Sequence, residues 1–315
     1  MSYVSRPAFP FCLGGNVFGW TTDETASFAV LDAFADAGGT LIDTADMYSA
    51  WVEGHAGGES EAILGRWMAS RRCRDRMAIA TKVGLLKGLE GLAPATIRTA
   101  AENSLRRLQT DRIDLYYAHR DDEKTPLAET LGAFDALVRA GKVARIGASN
   151  YKASRLAEAL SVSKQNGLAR YEAIQPHFNL VHRTEYEGEL AGLCSREGIG
   201  CFPYFSLAKG FLTGKYRPGK TVDSPRSKGA SSYLDERGLR VLGVLDALSA
   251  THHTSPGAVA LAWLRAQPTV VAPIASARSA AQLAEILPGA TLRLTEAELA
   301  RLSTSAEPNV AGKTS

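Results

Sequence analysis

The sequence predicts an α/β protein with the fold of a (β/α)8 TIM barrel in a single domain, and three observations support this class. Short apolar segments alternate with longer amphipathic ones, which is the pattern of βαβ units and a parallel sheet. Eight such short segments occur in 315 residues, and a barrel of eight units typically takes about 250 residues. The composition, with 45% hydrophobic and 22% charged residues, is that of an ordinary globular protein. A doubly wound sheet is the alternative architecture.

Each predicted strand is a run of apolar or β-branched residues bounded by turn formers. The eight runs are residues 10–15, 39–44, 77–84, 113–119, 143–149, 171–176, 199–205 and 269–276. Two of the helices between them are clearest. Residues 125–142 carry apolar side chains at helical spacing and have Gly141 near the end, whereas residues 93–108 begin with Pro94 in the first turn, where proline is tolerated.

The chain contains no low-complexity segment and no linker between domains, so one domain over residues 1–315 is expected. The one long irregular stretch is 206–234. A loop of that length inside a compact domain is usually functional, and we therefore expect it to contribute to a binding site.

Composition and charge limit the partners and the compartment. A net charge of +3 is too small to predict binding to nucleic acid or to an anionic membrane. The four cysteines form no C-x-x-C pair and are typical of buried thiols in a reducing compartment, not of a disulfide framework or a metal site. The N-terminus lacks the pattern of a signal peptide, and no apolar run approaches the roughly 20 residues of a membrane helix. A cytoplasmic location is expected.

Polar residues lie at or just beyond most of the predicted strand ends. Any one of them alone is typical of a turn or a helix cap. In a barrel, however, the carboxyl ends of the strands meet at one rim, which carries the active site. The residues in question are Asp43, Tyr48, Lys82, His119, Ser149, Asn150, Gln175, Tyr204, Ser276 and Arg278.

Eight segments give the sequence a resemblance to a known family. They are IDTADMYS, GGESEAILGRW, IATKVG, DLYYAHRDD, GKVARIGASN, QPHFNL, SLAKGFLTGKY and PIASARSAAQL. In these segments, and nearly from end to end, the sequence resembles the aldo-keto reductases. The resemblance implies a (β/α)8 barrel, a nicotinamide cofactor (usually NADPH) and reversible reduction of an aldehyde or ketone. Asp43, Tyr48, Lys82 and His119 match the family's catalytic tetrad.

The four residue types suit carbonyl reduction. Hydride transfer leaves charge on the carbonyl oxygen, and Tyr48 can supply a proton as general acid. A free phenol has a pKa near 10, and a nearby Lys82 ammonium would lower it. Asp43 would keep Lys82 charged, and His119 would orient the carbonyl. Asp46, in the same segment, is interpreted as a turn residue.

The resemblance also implies a set of cofactor contacts. Ser149, Asn150 and Gln175 would contact the nicotinamide carboxamide, and Tyr204 would stack on the ring. Ser276 and Arg278 would contact the adenosine 2′-phosphate, and this favours NADPH over NADH because arginine suits phosphate. The remaining expected cofactor positions are Phe205, Ser206, Leu207 and Gly210 near the pyrophosphate, and Gln282 near the adenine.

Trp20 and Trp51 are candidates for an apolar substrate pocket, with core packing or capping of the barrel as the alternatives. Two other functions stay open at this point. A buried Lys82 near Asp43 would suit a Schiff-base lyase or aldolase, and a barrel of this family can also serve as a cofactor-occupied regulatory subunit without turnover. The sequence leaves open the identity of the carbonyl or alcohol substrate, the physiological direction and the oligomeric state.

Overall fold

The computed structural model describes residues 7–307, in which eight strands form one parallel sheet and two more form a small hairpin. The strands are β1 (Cys12–Gly14), β2 (Leu41–Asp43), β3 (Ala78–Val83), β4 (Leu85–Leu86), β5 (Leu89–Glu90), β6 (Leu115–Ala118), β7 (Ile146–Ser149), β8 (Tyr171–Gln175), β9 (Gly200–Cys201) and β10 (Ile274–Ala275). The order in the large sheet is β10-β1-β2-β3-β6-β7-β8-β9. Residues 1–6 and 308–315 of the predicted domain lie outside the described residues.

The two outer strands of this sheet meet, so the sheet closes into a barrel. Cys201 of β9 pairs in parallel with Val270, just before β10. The Val271 N–H donates to the Cys201 carbonyl at 2.9 Å, and the Ile274 N–H donates to the Pro203 carbonyl at 2.9 Å. The predicted (β/α)8 barrel is therefore confirmed. Each of the eight predicted segments contains one strand of the barrel, shorter than predicted.

Helices follow the strands around the outside of the barrel. They are α1 (Glu24–Asp36), α2 (Glu59–Arg71), α3 (Pro94–Leu108), α4 (Leu127–Arg139), α5 (Ala153–Asn166), α6 (Glu189–Glu197), α7 (Ser227–Ser231), α8 (Glu236–Thr251), α9 (Pro256–Ala266), α10 (Ala280–Ile286) and α11 (Glu296–Ser305). The two helices predicted most clearly correspond to α3 and α4. Between residues 7 and 307, no helix combines the length and the apolar character needed to cross a membrane.

The connections after β3 and β9 contain structure that the sequence did not predict. β4 and β5 pair in antiparallel fashion and form a hairpin beside the rim. The irregular stretch after β9 contains a 3-10 helix (Ala208–Thr213) and the short α7. Lys209 and Gly210 interrupt that 3-10 helix with φ of 58° and 96°, so the chain turns sharply there.

The strand period explains how the barrel presents polar groups at its rim. Side chains two residues apart on a strand lie on the same face. Leu41, Ala80 and Ala173 belong to a buried apolar cluster formed by alternate residues of the barrel strands. Two positions further along the same strands come Asp43, Lys82 and Gln175, all buried. The apolar layer therefore lies below a polar layer at the carboxyl ends of the strands.

Candidate active site

A cavity of about 420 Å³ lies at the carboxyl ends of the strands. Its walls include sixteen of the seventeen residues that the sequence predicts for catalysis and binding. They are Asp43, Tyr48, His119, Ser149, Asn150, Gln175, Tyr204, Phe205, Ser206, Leu207, Gly210, Ser276, Arg278, Gln282, Trp20 and Trp51. The seventeenth, Lys82, is fully buried and contacts two of the lining residues from behind.

Lys82 has all three of its ammonium donors satisfied inside the protein. Its Nζ donates to Asp43 Oδ2 at 2.6 Å, to the Thr44 carbonyl at 2.7 Å and to the Tyr48 hydroxyl at 3.1 Å. Burial disfavours the charged ammonium, but Asp43 and Tyr48 outweigh it, so the pKa of Lys82 is raised. Lys82 is therefore a fixed positive charge beside the phenol.

The Tyr48 phenol keeps its proton at neutral pH. Burial raises the pKa of Tyr48 to about 12, Lys82 opposes this rise, and Asp43 adds to it. Lys82 thus lowers the pKa as the sequence predicted, but the net shift is upward because loss of solvent is the larger effect. The Tyr48 hydroxyl lies 3.4 Å from Asp43 Oδ2 as well as 3.1 Å from Lys82 Nζ. A phenol that is protonated at neutral pH can act as a proton donor.

His119 is neutral in this environment. Burial, together with Lys82 and Arg120, lowers the pKa of His119 well below its usual value. Its ring centroid lies 6.2 Å from that of Tyr48, with the rings edge to face. A neutral imidazole beside a protonated phenol can direct a hydrogen bond at a carbonyl oxygen without adding a charge.

A second row of polar side chains holds these groups in place. Gln175 Nε2 donates to Asp43 Oδ1 at 2.8 Å, so both carboxylate oxygens of Asp43 are bonded. Ser149 Oγ donates to the Gln175 carbonyl at 2.9 Å. Asn150, with a φ of 59°, donates from Nδ2 to the His119 carbonyl at 3.0 Å. Gln175 thus supports Asp43 here, and its predicted contact with nicotinamide stays a prediction.

Three cations, Lys215, Arg226 and Arg278, line the cavity. Burial lowers the pKa of Lys215, and the neighbouring Arg278 and Arg226 lower it further, against a smaller opposing effect of Glu285. Burial also lowers the pKa of Arg226, and Arg278 adds to that shift. Within residues 7–307, the buried Nη2 of Arg226 has no hydrogen-bond partner. A phosphate-bearing ligand would relieve the repulsion among the cations and satisfy this donor, so the residues present fit a dinucleotide cofactor.

The neighbouring strand end is ordered by local bonds. Ser276 Oγ donates to Asn16 Oδ1 at 2.5 Å, and the Arg278 N–H donates to Gln282 Oε1 at 3.1 Å.

The sequence analysis missed Lys215 and Arg226 as individual residues, although both lie in the segment 206–234 that was predicted to be functional. The signal that could have found them is the run of basic residues in that segment.

The model of the aldo/keto reductase family matches residues 10–307. The chain belongs to the aldo/keto reductase family. It is 32% identical to the uncharacterized oxidoreductase YrpG of Bacillus subtilis over 96% of this chain and 93% of that protein. It is 29% identical to norsolorinic acid reductase of Aspergillus flavus (95% and 78%) and 30% identical to aryl-alcohol dehydrogenase GME11368 of Pestalotiopsis microspora (91% and 76%).

This member of the family has an aromatic wall on one side of its cavity. The Trp20 and Trp51 rings meet edge to face with centroids 5.4 Å apart, and Trp51 lies 6.2 Å from Tyr48. Trp51 is 45% exposed, although it is a large apolar side chain. The Arg226 guanidinium lies 5.6 Å from the Trp20 ring centroid. An apolar or aromatic ligand would cover surface that is now in contact with water.

The chain also buries a carboxyl group near these residues, at Asp46. Asp46 does lie in a turn, as predicted, but it is fully buried, and in the described part of the chain neither of its carboxyl oxygens has a hydrogen-bond partner. Burial, with the neighbouring Glu61, raises the pKa of Asp46 to about 8. Glu61 itself accepts from Thr81 Oγ1 at 2.5 Å and pairs with Arg107 at 2.6 Å. Asp46 is therefore a neutral acid at pH 7.

Proposed function

We propose that this chain is an NADPH-dependent oxidoreductase that reversibly reduces an aldehyde or ketone to an alcohol, with Tyr48 as the proton donor. The observation that carries the proposal is the contact of Tyr48 with the Lys82–Asp43 pair at the wall of a cavity that His119 also lines. Membership of a family of oxidoreductases that use nicotinamide cofactors supports the reaction class.

When bound, the nicotinamide cofactor would supply the hydride. The chain's own residues handle the proton and the charge. Tyr48 donates its phenolic proton to the carbonyl oxygen, and the Lys82 ammonium stabilises the phenolate that remains. Asp43 keeps Lys82 charged and in position. Neutral His119 hydrogen-bonds the carbonyl oxygen and sets its orientation. In the direction of alcohol oxidation, the Tyr48 phenolate would act as the base. Because the pKa of Tyr48 is about 12, the phenolate forms only at high pH.

We propose NADPH as the preferred cofactor. Arg278, Lys215 and Arg226 would hold its phosphate groups, since all three cations line the cavity and Arg278 lies close enough to lower the pKa of the other two. Ser149, Asn150 and Gln175 would hold the carboxamide, and Tyr204 would pack on the nicotinamide ring. Support for the last assignment is that Tyr204 lines the cavity and that its hydroxyl donates to Asn150 Oδ1 at 2.8 Å. The rest of the cofactor would contact Phe205, Ser206, Leu207, Gly210, Ser276 and Gln282.

The substrate side of the cavity favours an aromatic carbonyl compound. Trp20 and Trp51 offer an apolar edge and face beside Tyr48, and aromatic pairs of this kind add attraction beyond simple burial. The names of two relatives, an aryl-alcohol dehydrogenase and a norsolorinic acid reductase, are in keeping with this class. We also propose a cytoplasmic location, which is supported by four buried cysteines that carry free thiols.

The Schiff-base alternative is disfavoured by the state of Lys82. A lysine must be neutral to attack a carbonyl, whereas the pKa of Lys82 is raised and its three donors are bonded. A regulatory subunit would bind NADPH without turnover, and an assay of NADPH oxidation with aldehydes and ketones separates that role from catalysis.

Tyr48→Phe tests the proposal. It removes one hydroxyl, so NADPH binding, measured by fluorescence titration, should change by less than about 3-fold, because the ring stays in place. Carbonyl reduction should fall by at least roughly 100-fold, because general acid catalysis contributes that much or more. Tyr233→Phe, on a half-buried tyrosine that is not part of the cavity wall, is the matched control. Near-normal turnover in Tyr48→Phe would refute the role of Tyr48.

A further inference from the structure

Three aromatic rings stand in a stack behind the cavity. The His177 and His182 rings are nearly parallel, at 11°, with centroids 3.7 Å apart. His177 also stacks on Tyr204, at 22° with centroids 5.4 Å apart. We call these three residues the ring column. Because Tyr204 lines the cavity, the column connects the cavity wall to two histidines that have no assigned role.

The chain holds the ring column by backbone pairing on both sides. His177 pairs in parallel with Tyr204, and the Tyr204 N–H donates to the Pro176 carbonyl at 3.0 Å. Asn179 and His182 exchange both backbone hydrogen bonds, at 3.0 and 3.1 Å, which closes a tight turn. That turn brings His182 back beside His177. The column is thus set by the strand-to-helix connection after β8 and by the end of the β9 strand.

Side-chain bonds fix the turn from within. The buried Asn179 donates from Nδ2 to the Phe205 carbonyl at 2.9 Å, and its Oδ1 accepts from the Val181 N–H at 3.0 Å. Phe205 has a φ of 52°, a left-handed conformation that this bond helps to hold. The residue next to Tyr204 is therefore tied to the same turn as the histidines.

Both ends of the ring column make polar contacts, Tyr204 at one end and His182 at the other. At the cavity end, the Tyr204 hydroxyl donates to Asn150 Oδ1 at 2.8 Å. At the other end, His182 Nε2 lies 3.0 Å from Glu185 Oε1, whose side chain is 59% exposed. Burial, with His182 and other neighbours, lowers the pKa of His177 to about 4, so the middle ring is neutral at pH 7. A neutral middle ring avoids repulsion between two stacked imidazolium groups.

His177, His182 and Glu185 also have the composition of a metal site, since their donor atoms lie within 4.8 Å of one another. The ring geometry favours stacking instead. Two imidazoles that bind one metal must aim their in-plane lone pairs at a common point, whereas rings 11° from parallel and 3.7 Å apart aim theirs side by side.

We propose that His177 and His182 are positioning residues that hold the Tyr204 ring flat against the nicotinamide of the bound cofactor. The inference rests on the proposed function, in which Tyr204 packs on that ring. A tyrosine with one face supported by a stacked ring has fewer orientations to lose when a ligand covers the other face. The column would therefore act on the nicotinamide half of the cofactor and leave the phosphate half unaffected.

The test compares ligands with and without the nicotinamide. In His177→Ala, the affinity for NADPH and for NADH, measured by fluorescence titration, should fall by roughly 3- to 10-fold, the range that one lost aromatic pair gives. Affinity for 2′,5′-ADP, which lacks the nicotinamide, should stay within about 2-fold, measured by calorimetry. His177→Phe restores a ring at this position and should recover most of the NADPH affinity. His252→Ala is the matched control. It removes a histidine–glutamate contact of 2.7 Å with Glu298 and should leave the affinity for both ligands unchanged.

Each outcome decides a different point. Equal losses for NADPH and 2′,5′-ADP in His177→Ala would show general damage to the cavity and overturn the positioning role. Unchanged NADPH affinity, or failure of His177→Phe to recover it, would also overturn it. If the parent chain binds 2′,5′-ADP but neither NADPH nor NADH more tightly, the contact of Tyr204 with nicotinamide is wrong, and the proposed function fails together with the column.

Discussion

Asp46→Asn should stabilise this protein, and by more as the pH rises. Asp46 has a pKa of about 8 in the folded chain, against roughly 3.9 for an unperturbed Asp. Between these two values the folded state holds a proton that the unfolded state has lost, so stability falls as the pH rises from about 4 to about 8. At 1.36 kcal/mol per pKa unit, the loss at pH 7 is roughly 4 kcal/mol. The carboxamide of the variant does not titrate in this range, so its stability is free of this loss.

The assay is thermal unfolding of both proteins at pH 5 and pH 8. The gap in stability should widen by roughly 4 kcal/mol across this interval, which is about 8 °C at about 2 °C per kcal/mol for a chain of this size. Asp75→Asn is the matched control, because the Asp75 side chain is 91% exposed, and its gap from the parent should not change with pH. If the gap for Asp46→Asn were the same at both pH values, the carboxyl would not be held neutral and the reasoning would fail.

Three further substitutions test the site. Lys82→Met leaves the buried Asp43 carboxylate without its cation, which should cost roughly 3–5 kcal/mol of stability. It should also move the alkaline limb of alcohol oxidation to higher pH, since Lys82 no longer lowers the pKa of Tyr48, and an unmoved limb would contradict this. Arg278→Ala should lower the affinity for NADPH by about 10- to 150-fold and the affinity for NADH by less than about 3-fold, measured by fluorescence titration. Equal losses for the two cofactors would contradict the assignment. Trp51→Ala should lower kcat/KM for an aromatic aldehyde by roughly 10-fold and spare an aliphatic aldehyde of similar length; parallel losses would remove Trp51 from the substrate site.

The barrel could be predicted from the sequence because its strands and helices are local patterns. Alternating apolar runs and helical periodicity are read within a few residues, and all eight barrel strands fall inside predicted segments. The strand ends could not be predicted as well. The segment predicted as 199–205 has only Gly200–Cys201 as strand, since Pro203 lacks an N–H to donate. The β4–β5 hairpin was missed because each of its strands has only two residues.

The candidate site, too, could be predicted only in part from the sequence. Residue types at the strand ends, and the resemblance they carry, predicted which side chains line the cavity. The sequence could not predict the net shift of the Tyr48 pKa, because burial depends on every element that covers the ring. Nor could it predict the burial of Asp46, which depends on the packing of neighbouring elements, or the convergence of Arg226 with Arg278, which lies 52 positions further along the chain.

The hydrogen bond from Gln175 to Asp43 joins residues 132 positions apart. The four proposed catalytic residues lie within the first 119 positions, on or just after the strands β2, β3 and β6, so half of the barrel contains all four. That half cannot bond the second oxygen of Asp43, because Gln175 arrives with β8. During refolding, secondary structure should therefore return before turnover does, since contacts between distant parts of a chain form slowly. Recovery of activity would then report when the barrel closes. A fragment that ends before β8 would contain the four proposed catalytic residues but would lack the hydrogen bond from Gln175 that holds Asp43.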